Sequence, residues 1–375
     1  MSQNSLPDKL LIDSTPLDMG AAVSKRGIGF YVNTLLSHWQ KRNISNVSVL
    51  KYRSNYTSFE RKLVFPVSSI PEKYLWMINA LLLPSFIGRN KIDYFHSTHP
   101  CTTIFSKNYK TIATVYDLIP LIFYRQSLAQ KWYNLHLSYN YYLKNLEKIE
   151  HLIAISNTTK QDCVRLLGIN EKKITTIYLG VDGNVFHRVT DEAKLQSVKL
   201  KYNLPERFFL YAGGLDFRKN YQRLITSYLN VAERIPEHMV MVGSWKNDVG
   251  LQKHNKIHYL NFVTVEELAV LYSLSTALVF PSIYEGFGLP VIEAFYCGTP
   301  VLCSNTSSLL EIAIDAALLV DPLSIADIAR GMEKLSSDEL YRKKLTEKGL
   351  IRAKDFSVER MSNETLKIYE KIAGC

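Results

Sequence analysis

Residues 276–298 read TALVFPSIYEGFGLPVIEAFYCG, and the fold follows from how this stretch changes character. TALVFPS (276–282) is a short apolar run, as a strand buried on both faces requires. A glycine loop, IYEGFG, comes next. Pro290 then stands at the opening of a helical run, where its missing N–H is harmless. Strand, glycine loop and helix in succession form part of a βα unit, the building block of a parallel sheet.

The same succession recurs in both directions. RFFLYAGG (207–214), HMVMVGS (238–244), KIHYLNFV (256–263) and TPVLCS (299–304) read as strands around the opening stretch. Upstream, KLLIDST (9–15), KIDYFHST (91–98), TIATVYD (111–117), HLIAIS (151–156) and ITTIYLGVD (174–182) form an earlier series. Its first strand is followed by a loop with Gly27 and Gly29 and then the helical run FYVNTLLSHW. A long helix over roughly 127–148 precedes HLIAIS, and SNTTKQDCVRLLG opens with Ser156 or Asn157 as cap. A polar stretch, 183–205, separates the two series. The spacing predicts an α/β chain of two Rossmann-like domains joined near residue 190, with a cleft between them lined by strand ends.

Two constellations carry chemistry. In EGFGLPVIE, Glu285 and Glu293 stand with seven residues between them, one in the loop and one a turn into the helix. Gly286 and Gly288 let the backbone approach a ligand, and the helix start offers unpaired N–H groups suited to phosphate. The pair alone would fit a glycine turn with two solvated carboxylates; its strand–loop–helix setting points to a ligand. In YAGGLDFRKN (211–220) a strand again runs into glycines, Gly213 and Gly214, and then Arg218 and Lys219 arrive. A forked guanidinium beside an ammonium forms a diphosphate clamp.

Composition narrows the classes. The 375 residues are 47% hydrophobic and 21% charged, ordinary for a folded chain of two or three domains. Cys101, Cys163, Cys297, Cys303 and Cys375 are widely spaced and odd in number, without zinc or disulfide spacing, which fits a reducing compartment. The opening MSQNSLPDKLLID has no charged segment leading into an apolar one, so no secretory signal is expected, and no stretch of 18 apolar residues offers a spanning helix. A net charge of +10 favours an anionic partner. The cations are scattered, without a nucleic-acid-binding signature.

Residues 71–91 (PEKYLWMINALLLPSFIGRNK) and the aromatic run around Trp132, Tyr133, Tyr139, Tyr141 and Tyr142 mix apolar and basic groups. They fit either core packing or contact with an anionic membrane surface.

Taken together, EGFGLPVIE, GGLDFRKN and GTPVLCSNTSSLLEI resemble the donor side of retaining glycosyltransferases of family 4, which have the GT-B fold. The likeness extends to GIG (27–29), YFHSTHP, VYDLIP, IAISNTTKQD and FSVERMSNETLKIYEKI. It implies an N-terminal acceptor-side domain, 1–188, completed by a last helix over about 356–375, and a nucleotide-sugar-binding domain, 189–355. By this resemblance Arg218 and Lys219 hold the diphosphate in place of a metal, so no cofactor is expected beyond the nucleotide-diphosphate sugar substrate. Glu285 meets the transferring sugar, Gly214 and the backbone of Gly286, Phe287, Gly288 and Leu289 border sugar and phosphate, and Glu293 binds the ribose. Gly27 and Gly29 flank the diphosphate, and Asp117 lies near the reaction centre. Ser304 and Asn305 are weaker pocket candidates.

Two positions depart from the family pattern. Tyr116 stands where many relatives have a sugar-contacting histidine, and Gly214 where many have arginine. His96 and His99 are either hydrogen-bonded loop residues or, with Tyr116, contacts on the sugar or acceptor side.

The resemblance implies a cytoplasmic hexosyltransferase of surface-polysaccharide synthesis, peripheral on the membrane's inner face, with mannose from GDP-mannose as the leading donor. The acceptor would be a glycan or a lipid-linked glycan. A UDP-sugar donor, a nucleotide-sugar epimerase that needs no acceptor, and a non-catalytic nucleotide- or glycan-binding module are the alternatives. A nicotinamide dehydrogenase fits less well, because GIGFYV lacks the third glycine of the dinucleotide fingerprint.

Overall fold

The structure, a computed structural model, describes residues 9–18, 27–44, 47–51, 62–65, 72–123, 133–245 and 254–374. The chain divides into two compact units, Met1–Gly180 with Val358–Cys375, and Val181–Ser357.

The strands of the first unit are β1 (Leu10–Asp13), β2 (Val47–Lys51), β3 (Lys62–Val64), β4 (Tyr94–Ser97), β5 (Lys110–Val115), β6 (His151–Ala154) and β7 (Ile174–Thr176). They form one sheet in the order β3-β2-β1-β4-β5-β6-β7. Every neighbour is parallel, with Leu10 against both Val47 and Tyr94. The helices are α1 (Thr15–Asp18), α2 (Gly27–Lys41), α3 (Glu72–Arg89), α4 (Ile119–Phe123), α5 (Tyr133–Lys148) and α6 (Asn157–Leu167). In α6 the cap is Ser156, whose hydroxyl accepts from Thr159 N at 3.0 Å, and Gly168 closes the helix at φ +66°.

Helix α2 begins three residues earlier than the apolar pattern FYVNTLLSHW indicates. Gly27 and Gly29 therefore lie in the first turn of α2 and not in a loop before it. Gly27 has φ +54°, a conformation that costs glycine little. Residues 127–132 of the expected long helix, including Trp132, lie outside the described residues, as does Cys375.

The second unit opens with α7 (Glu192–Tyr202) inside the stretch read as a polar connection. Asp191 caps it and Asn203 ends it in the left-handed region, but among its residues only Val198 is buried, so no apolar stripe announces it. The strands are β8 (Phe208–Ala212), β9 (His238–Val242), β10 (Ile257–Leu260), β11 (Ala277–Phe280), β12 (Val301–Ser304) and β13 (Leu318–Val320), in the order β10-β9-β8-β11-β12-β13, all parallel. Its helices are α8 (Tyr221–Leu229), α9 (Val265–Leu274), α10 (Leu289–Tyr296), α11 (Ser307–Ala313), α12 (Ile325–Ser337) and α13 (Glu339–Ala353). β8 and β11 are buried along their whole length, which explains their unbroken apolar sequences.

The last helix, α14 (Val358–Ala373), belongs to the first unit. Trp39 Nε1 of α2 donates to Ser362 Oγ at 2.8 Å, and the Trp39 and Tyr369 rings meet edge-on with centroids 6.0 Å apart. In each sheet the order reverses where the first strand meets the fourth, β1 beside β4 and β8 beside β11. Open α/β sheets bind ligands beyond the strand ends at such a reversal.

Candidate functional site

In the second unit the loops after β8 and β11 meet at that reversal. Ile283 N donates to Arg218 O at 2.7 Å and Arg218 Nη1 to Tyr284 O at 3.5 Å. Lys219 Nζ lies 2.7 Å from Glu285 Oε1, with the two side chains 22% and 10% exposed. The ammonium also stands 5.0 Å from the centre of the Phe280 ring, a favourable cation–π position. The structure thus joins Arg218, Lys219 and Glu285, residues up to 67 positions apart.

Supports hold these three in place. Asp216 accepts from Arg218 Nη2 at 2.5 Å and Nε at 3.2 Å, so the guanidinium is oriented before any ligand arrives. Tyr211 Oη donates toward Gly214 O at 3.2 Å and Lys219 O at 3.4 Å. Burial, with Glu285 and Asp216 nearby, keeps the Tyr211 phenol well above its ordinary pKa and so neutral. Asn220, buried at φ +59°, donates through Nδ2 to Pro281 O at 2.8 Å and Pro322 O at 2.7 Å. It pins the end of the clamp loop to the segments after β11 and β13.

The glycine loop is tied to α11. Glu285 N donates to Ser307 Oγ at 3.1 Å, Ser308 Oγ donates to Glu285 O at 2.8 Å and also to Phe287 O, and Thr306 Oγ1 donates to Ile283 O at 3.1 Å. Gly288 has φ +129°, and a Cβ there would come within 2.6 Å of Leu309 Cδ2. Only glycine suits both the backbone and the space. Gly288 caps α10 without a side-chain bond. The first N–H groups of α10 therefore lack a capping side chain, directly beside Gly286, Phe287 and Leu289. Further along α10, Glu293 Oε2 accepts from Tyr272 Oη of α9 at 2.9 Å. Burial and Glu293 keep the Tyr272 phenol well above its usual pKa, so it donates throughout the neutral range.

Asp216, Tyr211, Asn220, Tyr272, Ser307 and Ser308 are the supports that motif reading left without a role. Asp216 and Asn220 lie inside the GGLDFRKN motif and were within reach of it. Tyr272 sits in an apolar helix with nothing in the sequence to link it to Glu293. Ser304 is structural here, donating to Ser282 O at 2.6 Å, and Asn305 N donates to Val320 O at 2.9 Å.

The first unit carries the remaining candidates. His96 is fully buried, with Nδ1 2.7 Å from Tyr369 Oη and Nε2 2.8 Å from Thr114 Oγ1. Burial pushes its pKa down to about 3. Both ring nitrogens are engaged, so His96 joins β4 and β5 to α14 and offers no ring atom to a sugar. His99 Nδ1 accepts from Cys101 N at 3.2 Å, which leaves the ring proton on Nε2, and burial lowers its pKa to about 4. Tyr116 Oη donates to Thr98 O at 3.0 Å. Asp117 Oδ1 accepts from Ile119 N at 3.0 Å and so caps α4. Gly27 and Gly29 supply the first turn of α2.

Beneath the His99 loop, buried Asp13 accepts from Thr15 N at 2.9 Å and Thr102 Oγ1 at 2.6 Å. Burial raises its carboxyl pKa against the opposing pull of those donors.

Comparisons with known proteins follow this architecture. The family model described as Glycosyltransferase Family 4 matches residues 25–184, and the one described as Glycosyl transferases group 1 matches residues 193–352. O-antigen chain mannosyltransferase B of Escherichia coli is 32% identical over 238 residues, 60% of this chain and 62% of that protein. Serotype-specific mannosyltransferase WbdA of Escherichia coli is 31% identical over 263 residues, 66% of this chain and 32% of that protein. The matched part is therefore about three fifths of the first relative's length and about a third of the second's. Sucrose-phosphate synthase from Thermosynechococcus elongatus superposes with a TM-score of 0.75 at 20% identity, over 97% of this chain and 98% of that one. With one family model on each unit, and the two together spanning well over half of its length, the chain belongs to the family 4 glycosyltransferases and has the GT-B fold.

Proposed function

We propose that this chain transfers a mannosyl residue from GDP-mannose to a glycan or lipid-linked glycan acceptor in surface-polysaccharide synthesis, with retention of configuration and without a divalent metal. The observation that carries the transferase reading is the Lys219–Glu285 pair, 2.7 Å apart beside Arg218 at the β8/β11 reversal. A nucleotide-diphosphate sugar brings what both partners of that pair seek, phosphate oxygens for the ammonium and sugar hydroxyls for the carboxylate. In the reaction the bond from the sugar's anomeric carbon to phosphate breaks and its electron pair leaves on the nucleoside diphosphate. Arg218 and Lys219 stabilise that growing charge, the task a metal performs elsewhere. The acceptor oxygen bonds to the anomeric carbon from the face the phosphate leaves, and its proton passes to the departing phosphate.

Glu293 takes the ribose hydroxyls, and Asp117 with His99 serves the acceptor side. The choice of mannose rests on the relatives' names, and GDP on the donor that such chemistry commonly uses. The reading places the enzyme in the cytoplasm, peripheral on an anionic membrane surface.

The test is a melting series with GDP, UDP, ADP and dTDP, each with chelator and with magnesium. A ligand that binds only the folded chain raises the midpoint by mass action, by about 2.7 kcal/mol of stability at a hundred times its dissociation constant. GDP alone should do so, in the presence of chelator. A response to UDP alone would replace the donor, a response only with magnesium would remove the metal-free step, and silence from all four would sink the transferase reading.

A further inference from the structure

Four hydroxyl side chains crowd the loop that leaves β4. Ser97 Oγ, Thr102 Oγ1 and Thr103 Oγ1 lie 3.1, 2.9 and 3.0 Å from the carbonyl oxygen of His99, and Thr102 N donates to the same oxygen at 3.0 Å. The fourth, Thr98 Oγ1, donates to Asp13 O at 2.9 Å. Thr102 Oγ1 has one proton to give and lies closer to Asp13 Oδ2, at 2.6 Å, than to His99 O. A carboxylate is also the stronger acceptor, so that proton goes to Asp13.

Asp13, fully buried, divides its two oxygens. Oδ1 accepts from Thr15 N and Thr15 Oγ1, within the turn that follows β1. Oδ2 is left to the loop and meets Thr102 Oγ1, with Thr98 Oγ1 at 3.3 Å and Thr98 N at 3.4 Å. The carboxylate thus grips the loop on both sides of His99, at the reversal where β1 runs beside β4. Burying a carboxylate costs free energy that a small apolar residue at the strand end would not. Packing alone therefore does not account for it.

The loop presents one ring. His99 is half-buried, its Nδ1 accepts from Cys101 N, and no group among the described residues bonds to Nε2. Tyr116 gives its single hydroxyl proton to Thr98 O at 3.0 Å and has none left for a ligand. We infer that Asp13 is a positioning residue: through Thr98 and Thr102 it holds His99 so that Nε2–H is a fixed donor to an oxygen of the acceptor. This rests on the acceptor-side role proposed for His99 and names the device that sets it.

The experiment follows the ring by magnetic resonance in the full chain with isotope-labelled histidine. The His99 signal, identified by its loss in His99→Ala, should stay neutral down to a midpoint of about 4 in the wild type. Asp13→Asn and Thr102→Val loosen the loop and let water reach the ring, so both should move that midpoint up toward 6.5. Thr102→Ser keeps the hydroxyl and should leave it in place. Thr102→Val changes no charge, and it reads the loop even where Asp13→Asn disturbs folding. In transfer from GDP-mannose to a mannose oligosaccharide, His99→Ala and Asp13→Asn should each raise the acceptor KM about 3- to 10-fold with the donor KM unchanged. The double variant should be no worse than His99→Ala, since Asp13 acts through the histidine. Losses that multiply in the double variant, or a midpoint unmoved by Asp13→Asn and Thr102→Val, would overturn the inference. A wild type with the expected midpoint but no transfer would count against the transferase reading instead.

Discussion

Tyr272 and Glu293 show what a single hydrogen bond predicts. The phenol donates to Oε2 at 2.9 Å and so holds the carboxylate in one orientation. Removing the carboxylate takes away charged hydrogen bonds worth about 1.5–3 kcal/mol, so Glu293→Ala should weaken nucleotide diphosphate binding about 10- to 100-fold. Tyr272→Phe removes only the orienting bond, about 0.5–1.5 kcal/mol, and should weaken binding about 3- to 10-fold with turnover at saturation unchanged. Calorimetric titration with the nucleotide checks both; equal, unaltered affinities would remove Glu293 from the site. Lys219→Ala should act differently, lowering turnover about 100-fold with a smaller change in KM, as expected for a charge matched to the departing phosphate. Steady-state kinetics separate the two cases. Glu285, Arg218 and Lys219 were legible in the sequence because each lies in a short motif at a strand end. The Tyr272–Glu293 bond was not, since its partners sit on different helices 21 residues apart.

Among the elements, strands were easier to read than helices for a physical reason. A parallel strand is covered on both faces, so LLID, FFLYA and ALVF are continuous apolar runs. α7 left no such trace: it is exposed nearly all round, and its ends are marked only by Asp191 and Asn203. The start of α2 was misplaced because glycine is a poor helix former, yet here Gly27 opens the first turn at φ +54°. α10 gives a sharper test. Gly288→Ala forces a Cβ into a left-handed position 2.6 Å from Leu309 Cδ2. The strain should cost about 1–3 kcal/mol, seen as a lower urea midpoint at unchanged slope, and should weaken nucleotide binding along with it.

At the scale of the whole molecule, acid should destabilise the chain through its first unit. His96 titrates near 6.5 when unfolded and at about 3 when folded, because burial disfavours the cation. A histidine held neutral contributes its full stability above the unfolded pKa and loses it as pH falls from 6.5 toward 3. The slope is about 1.4 kcal/mol per pH unit for this residue. His99 and His151, both lowered to about 4, act in the same direction. Chemical denaturation between pH 7 and pH 5 should show this loss, and His96→Gln should flatten it; an equally steep curve in the variant would assign the acid sensitivity elsewhere. The architecture was legible at this scale, but the tie of His96 to Tyr369 was not, since they lie 273 positions apart.

The net charge of +10 does not describe the cluster at the β8/β11 reversal. There Arg218 faces Asp216 and Lys219 faces Glu285, so each cation already has its own carboxylate. A free phosphate or sulfate offers Lys219 an anion but gives Glu285 nothing in return, and so must break an ion pair without replacing it. A donor that carries both phosphate and sugar hydroxyls replaces both halves of the pair. Under the proposed function the closed pair is a filter: it predicts a site indifferent to abundant simple anions and responsive to a ligand that brings both chemistries at once.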